Sequence, residues 1–120
     1  MKPIIRKSSF GSIQIDEKKY DHDVVITLDG SIHKRKKKLS KEVFGTSHII
    51  SLAEAEDIYE SGAELLIIGS GVNNLVKLSK EAAQYFADHQ LKAVLDATPR
   101  AADKWNLAEG KVIGLFHITC

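Results

Sequence analysis

The sequence predicts an α/β domain in which an N-terminal antiparallel β-meander is followed by a βαβαβ unit. Three observations carry this. Apolar and polar residues alternate between polar turns over the first third of the chain, the period of half-buried strands. From Ser51 onward, short apolar runs alternate with amphipathic, capped stretches, which is the pattern of parallel strands joined by crossover helices. The length, 120 residues, suits one hydrophobic core, so both textures are expected to belong to a single domain spanning residues 1–120. With 43% hydrophobic residues, that core needs neither a disulfide nor a metal to hold it.

In the meander, Phe10, Ile13 and Ile15 alternate with Ser12 and Gln14, and Asp23 to Leu28 follows after the polar turn Asp16 to Lys19. Asp29-Gly30 is a strong hairpin signal, with Ser31-Ile32-His33 starting the returning strand. Ser51-Leu52-Ala53-Glu54 is a capping box, in which the serine hydroxyl accepts from an amide of the first turn while the glutamate reaches back. The helix it opens runs to about Glu60, with Leu52, Ala55, Ile58 and Tyr59 on one face and Gly62 as its left-handed cap. The run Glu64 to Ile68 is too short for a helix and predicts a buried strand, left through the turn Gly69-Ser70-Gly71. Ser79 caps a helix carrying Ala82, Ala83, Tyr85, Phe86 and Ala87, and Leu91 to Leu95 supplies the next strand. Thr98-Pro99 reads as an N-cap with proline at the first helical position, Gly110 closes that helix, and Val112 to Phe116 is the last strand.

Charge and composition exclude several classes. The net charge is +1, so a nucleic-acid protein that works by overall charge is not expected. The single cysteine, Cys120, rules out an internal disulfide, and its position does not match a prenylation box. Met1 to Arg6 lacks the apolar run of a secretory leader, and no stretch of about 18 apolar residues occurs, so no membrane span and a cytoplasmic location are expected.

Three features carry candidate chemistry. The first is the strand followed by Gly69-x-Gly71, with Asp96 further on, which has the outline of a dinucleotide fingerprint. Asn74 replaces the third glycine, and the next helix cap comes only at Ser79, so no helix N-terminus lies under a pyrophosphate and no cofactor is expected. Glycines that let the chain leave a buried strand explain the same residues. If the strands ending at Ile68 and Asp96 are parallel, Ser70 and Thr98 meet at their carboxyl ends, where open α/β sheets place ligands. A small phosphate or carboxylate site there would draw on Gly69, Ser70, Gly71, Thr98 and Asn106, with His48 or Lys77 as a base. Asn106 has a simpler reading as a bond to a neighbouring loop. The second feature is the run Lys34, Arg35, Lys36, Lys37 and Lys38, either a solvated hairpin edge protected by lysines or a contact surface for a partner. No aromatic residue interleaves with it, so base stacking has no platform. The third is His48 with His117-Ile118-Thr119-Cys120, which lacks a second ligand cluster for zinc, so no metal is expected. No nucleophile–base–acid or paired-carboxylate arrangement stands out, so no catalytic residue is assigned and an enzyme is not the expected reading.

The strings Gly45-Thr46-x-His48, Leu66-Ile67-Ile68-Gly69-x-Gly71, Asp96-Ala97-Thr98 with Ala101-Ala102, Trp105-Asn106-Leu107, Glu109-Gly110-Lys111-Val112 and Phe116-His117-x-Thr119-Cys120 span nearly the whole chain. In this order and spacing the sequence resembles the adipogenesis-associated protein family, which includes the mitochondrial respiratory complex I assembly factor 3 and many short bacterial and archaeal proteins. The resemblance implies a three-layer α/β fold with a mixed central sheet, no established enzymatic activity, and relatives that act as assembly or signalling partners. The chain departs from the family pattern at Ser79, where proline is frequent, at Trp105, where tyrosine is common, and in the basicity of Lys34 to Lys38. The function expected is a non-catalytic protein-interaction or assembly module with another protein as partner. A small-anion protein with its site at the Gly69 turn is the alternative.

Overall fold

The computed structural model describes residues 2–120. Strands β1 (Ile5–Ser9), β2 (Ser12–Ile15) and β3 (Lys18–Tyr20) form an antiparallel sheet in that order. β4 (Val24–Ile26) and β5 (Ile32–Lys34) pair as the expected hairpin around Asp29-Gly30. They belong, however, to a second sheet. The meander is therefore split between Tyr20 and Val24, where the Asp23 side chain turns into a buried polar network.

The second sheet is the centre of the molecule, with order β5-β4-β10-β7-β9. β7 (Leu65–Ser70) lies parallel to both β9 (Lys92–Asp96) and β10 (Val112–His117), while β4 runs antiparallel to β10, so the sheet is mixed. A short parallel pair, β6 (Ile49–Ile50) and β8 (Lys77–Leu78), lies outside it. The helices are α1 (Lys38–Phe44), α2 (Leu52–Ile58), α3 (Lys80–Asp88) and α4 (Thr98–Leu107). Among the described residues, no helix is long and apolar enough to cross a membrane.

Because strand side chains alternate, each central strand feeds two cores. Leu66 and Ile68 of β7, Ile113 and Leu115 of β10 and Val25 of β4 pack against Ala55 and Ile58 of α2 and Ala82 and Phe86 of α3. Ile67, Val112, Phe116, Val24 and Ile26 face the other way, against Ala101, Ala102 and Trp105 of α4 and Ile5, Ile13 and Ile15 of the small sheet. The result is three layers, with the mixed sheet in the middle. Trp105 and Phe116 meet edge to face, ring centroids 6.0 Å apart. A side chain at Gly114 would leave no room for this: a Cβ there would lie 2.7 Å from Phe116 Cε2 and 3.0 Å from Trp105 Cζ3.

Ser51 and Ser79 cap α2 and α3 as their positions predict, accepting from the amides of Glu54 and Ala82. The remaining boundaries shift. α2 ends at Ile58 with an extended Tyr59 as its cap, and Gly62 serves the following turn at φ +95°. α4 begins at Thr98 behind Ala97, which has no side chain able to cap, so Thr98 is the first helical residue rather than the expected N-cap, and its hydroxyl is turned into the protein. The expected polar turn Asp16 to Lys19 is shorter than its sequence suggests, because Lys18 and Lys19 already belong to β3. The short strands β6 and β8, together with β1 and α1, have no signal of their own: β1 carries Arg6 and Lys7 on its exposed positions, and α1 begins inside the lysine run, so neither shows a clear period.

Candidate functional site

The parallel strands do bring the glycine turn and Thr98 together, and their polar groups are bonded to one another. Thr98 Oγ1 accepts from the Gly71 amide at 2.9 Å and donates to the His117 carbonyl at 2.5 Å. Ser70 is buried, its hydroxyl donating to the Asp96 carbonyl at 2.8 Å. The amides of Val72, Asn74 and Thr98 go to the carbonyls of Thr119, Gly71 and Gly71. Gly71 sits at φ +94°, and a Cβ there would lie 2.6 Å from the Cys120 carbonyl oxygen, so the last residues of the chain pack directly on the turn. An anion at this place would have to displace bonds already made. Beside the turn, Thr98, Phe10, Val72, Pro99 and Ile118 line an apolar hollow of about 170 Å³.

Of the other candidate residues, Gly69 belongs to the turn itself, and the rest have contacts of their own. Asn106, at the opposite end of α4 from Thr98, clamps both backbone groups of Ile5, accepting from its amide at 2.9 Å and donating to its carbonyl at 2.8 Å. Lys77 is on β8, exposed, with its amide bonded to the His48 carbonyl. The His48 ring stands edge-on to His117, centroids 5.4 Å apart. Gly69 carries no side chain because Phe116 and Thr98 occupy that space.

The basic run contains the larger surprise. Arg35 leaves its neighbours and enters the protein, its side chain fully buried. It directly follows β5, as Asp23 directly precedes β4, so the hairpin places the two side by side, with the Arg35 amide bonded to the Asp23 carbonyl. The guanidinium then satisfies three partners. Nε and Nη2 grip the Glu54 carboxylate at 2.6 and 3.0 Å, Nη1 reaches Asp23 Oδ2 at 3.0 Å, and Nη2 also donates to the Ser47 carbonyl at 2.7 Å. A planar fork of donors suits this geometry where an ammonium would not. Glu54 does not reach back to its own cap as the capping box predicts. Ser40 does so instead: its oxygen accepts from the Ser51 amide at 2.9 Å while its hydroxyl donates to Glu54. Asp23 also accepts from His117 Nδ1 at 2.7 Å and from the Ile118 amide at 2.9 Å. Since an ionised carboxylate only accepts, the proton of that first bond resides on Nδ1. No buried side-chain nitrogen or oxygen is left without a partner among the described residues.

Burial pushes the Asp23 carboxyl up, but the bonds from His117 and Ile118 and the nearby Lys37 outweigh it and hold it at about 2, against an ordinary value of 3.8. For Arg35 burial acts against the charge, and the contacts with Glu54 and Asp23 reverse it, raising its pKa. A carboxyl depressed in the folded state stabilises fully above its unfolded pKa and loses that contribution as pH falls through its folded pKa. Asp23 is therefore expected to supply about 2 kcal/mol that disappears between roughly pH 4 and pH 2. Asp29 and Asp96 are also held at about 2. The measurement is thus the difference in urea stability between wild type and Asp23→Asn across that window: the gap narrows as pH falls, and a constant gap contradicts the assignment.

Arg35 fixes the backbone from which its neighbours project. A cleft of about 590 Å³ lies above the network, floored by Asp23 and Arg35 and walled by Asp21, His22, Lys34, Lys36, Lys37, Lys38 and Leu39. Lys36 Nζ is 3.2 Å from Asp57 and Lys37 Nζ 3.6 Å from Asp23, whereas Lys34 and Lys38 form no ion pair among the described residues. His22 is turned toward Tyr20, ring centroids 5.8 Å apart. The sequence does not mark Asp23 as a site residue, and it marks Glu54 only as the second member of the α2 capping box. The available signal was a charged residue abutting the apolar run Val24-Val25-Ile26, and an arginine among lysines.

Fold and site together define a small three-layer α/β domain with a mixed sheet, a closed glycine turn and a basic cleft seated on a buried ionic network. The chain belongs to the family of proteins of unknown function designated DUF498/DUF598, whose family model matches residues 5–117. It is similar to the conserved hypothetical protein PH1505 from Pyrococcus horikoshii, with 29% identity, a TM-score of 0.88 and coverage of 97% of this chain and 98% of that one. It is also similar to the protein MT938, at 29% identity and a TM-score of 0.83, covering 98% of this chain and 99% of that one. An outer membrane protein from Bartonella henselae shares the fold at 15% identity and a TM-score of 0.70, covering 99% of this chain and 97% of that one.

Proposed function

We propose that this protein is a non-catalytic interaction module whose contact surface is the cleft walled by Lys34, Lys36, Lys37 and Lys38, and whose partner is a protein presenting an acidic segment. The observation that carries this is the burial of Arg35. Lysines on a free loop lose considerable side-chain and backbone entropy when a partner fixes them, and a backbone already clamped by Asp23 and Glu54 has lost part of that freedom beforehand. Cations gathered round one concavity favour a negative partner both in encounter and in register. The resemblance to the family of the adipogenesis-associated protein and complex I assembly factor 3, some members of which work as assembly or signalling partners, supports the same reading. A small anion at the Gly69 turn is less favoured, because the amides of Gly71, Val72 and Thr98 are already donated within the chain.

The test is affinity capture from the native cell with wild type and with a variant carrying K34A, K36A, K37A and K38A, Arg35 being retained so that the fold survives. Wild type is expected to retain a partner with an acidic segment, and the variant to lose it, as does wild type in high salt. A partner held equally well by both proteins places the contact elsewhere. Recovery of none from either ends the proposal.

A further inference from the structure

We propose that a second copy of this chain pairs along β9, joining two central sheets across a two-fold axis. The inference is independent of the lysine cleft and rests on the two edges of the sheet, which are treated differently. β5 is three residues long and shows exposed His33 and Lys34, the usual protection of an edge against pairing. β9 has five residues, Lys92-Ala93-Val94-Leu95-Asp96, with no proline and an apolar middle, and nothing in the sheet lies beyond it.

The register follows from the backbone. The Lys92 amide donates to the Glu64 carbonyl, toward β7. Strand groups alternate in direction, so the amides and carbonyls of Ala93 and Leu95 point away from the sheet. An antiparallel copy centred on Val94 sets Ala93 against Leu95 of the second copy, and Leu95 against its Ala93. All four outward donors and acceptors on each side are then used, and the full length of both strands is paired. Any slip leaves some of them unmatched. The same register sets Lys92 opposite Asp96 of the second copy at each end, so unlike charges face each other across the joint. Asp96 is held at that edge by Arg100 at 2.9 Å and Lys104 at 3.0 Å. Val94 falls on the axis. Ala93 and Leu95 pack on the core beneath α2 and α3, whereas half-buried Val94 joins neither core, so an apolar neighbour remains to be supplied. In a non-hydrogen-bonded antiparallel pair the two Val94 side chains are close neighbours.

Sedimentation velocity over a range of protein concentrations, together with disulfide trapping, tests this with four variants. Wild type is expected to show a reversible dimer. V94K and V94E, each placing like charges on the axis, are expected to be monomeric with wild-type circular dichroism, and an equimolar mixture of the two is expected to recover the dimer. In a Cys120→Ser background, V94C is expected to form a symmetric disulfide and K92C is not, which fixes the register. Wild type that stays monomeric throughout, or a dimer unaffected by V94K, or failure of the mixture to reassociate, overturns the proposal.

Discussion

Arg35→Met is expected to destabilise the protein by about 3–5 kcal/mol, the cost of breaking a buried ion pair by removing one partner. The side chains of Asp23 and Glu54 are each only 1% exposed, and without the guanidinium they are left as two buried acids with incomplete compensation. Arg35→Lys is expected to recover only part of the loss, since one ammonium cannot span Glu54, Asp23 and the Ser47 carbonyl at once. Combining Arg35→Met with Glu54→Leu separates two explanations. If the damage comes from an orphaned carboxylate, the double variant is more stable than the single one, because apolar replacement of a whole buried pair is often neutral or better. If it comes from lost packing around the arginine stem, the double variant is worse. Urea unfolding of the three proteins decides this, and a loss below about 1 kcal/mol for Arg35→Met contradicts the network.

Trp105→Ala is expected to cost a similar amount, about 3–5 kcal/mol, for a different reason. The indole is wholly buried between the sheet and the small antiparallel layer, and its ring meets the edge of Phe116 over the bare backbone of Gly114. Truncation removes the largest side chain of that core and opens a cavity that three rigid elements cannot close. It also orphans the Pro3 carbonyl, to which the indole Nε1 donates at 2.9 Å. Loosening is therefore expected to spread to the N-terminal strand. Hydrogen exchange of β1 amides checks this second consequence: if β1 retains its protection while global stability falls, the tryptophan does not hold that layer.

The α/β character and most central elements were legible because each signal was local. Leu65-Leu66-Ile67-Ile68 lies between glycines and can only be a short buried strand, and Ser51 and Ser79 announce α2 and α3 through their own hydroxyls. β1 and α1 escaped because their stability comes from tertiary cover rather than from their own periodicity. The candidate site was less legible, and the basic run shows why. Lys34 to Lys38 is uniform in charge, but the strand direction at the end of β5 carries position 35 toward α2 while its neighbours face solvent. That distinction depends on Glu54 lying 19 residues away, in a capping box whose carboxylate had an ordinary local role available. Asp23 and His117 meet across a separation of 94 residues, which no local pattern encodes. The glycine turn, conversely, was visible from its residues, while the fate of its amides depended on where the Thr98 hydroxyl and the Thr119 carbonyl came to rest.

The proposed contact is between a rigid basic cleft and an acidic protein segment. The most direct measurement is a nitrogen–proton NMR titration of the full chain with a short polyglutamate peptide, at low salt and again at physiological salt. Saturable shifts are expected on His22, Lys34 and Lys36 to Leu39, weakening with salt and absent in the four-lysine variant. Shifts centred instead on Gly71, Val72 and Thr98, or no shifts at low salt, contradict it.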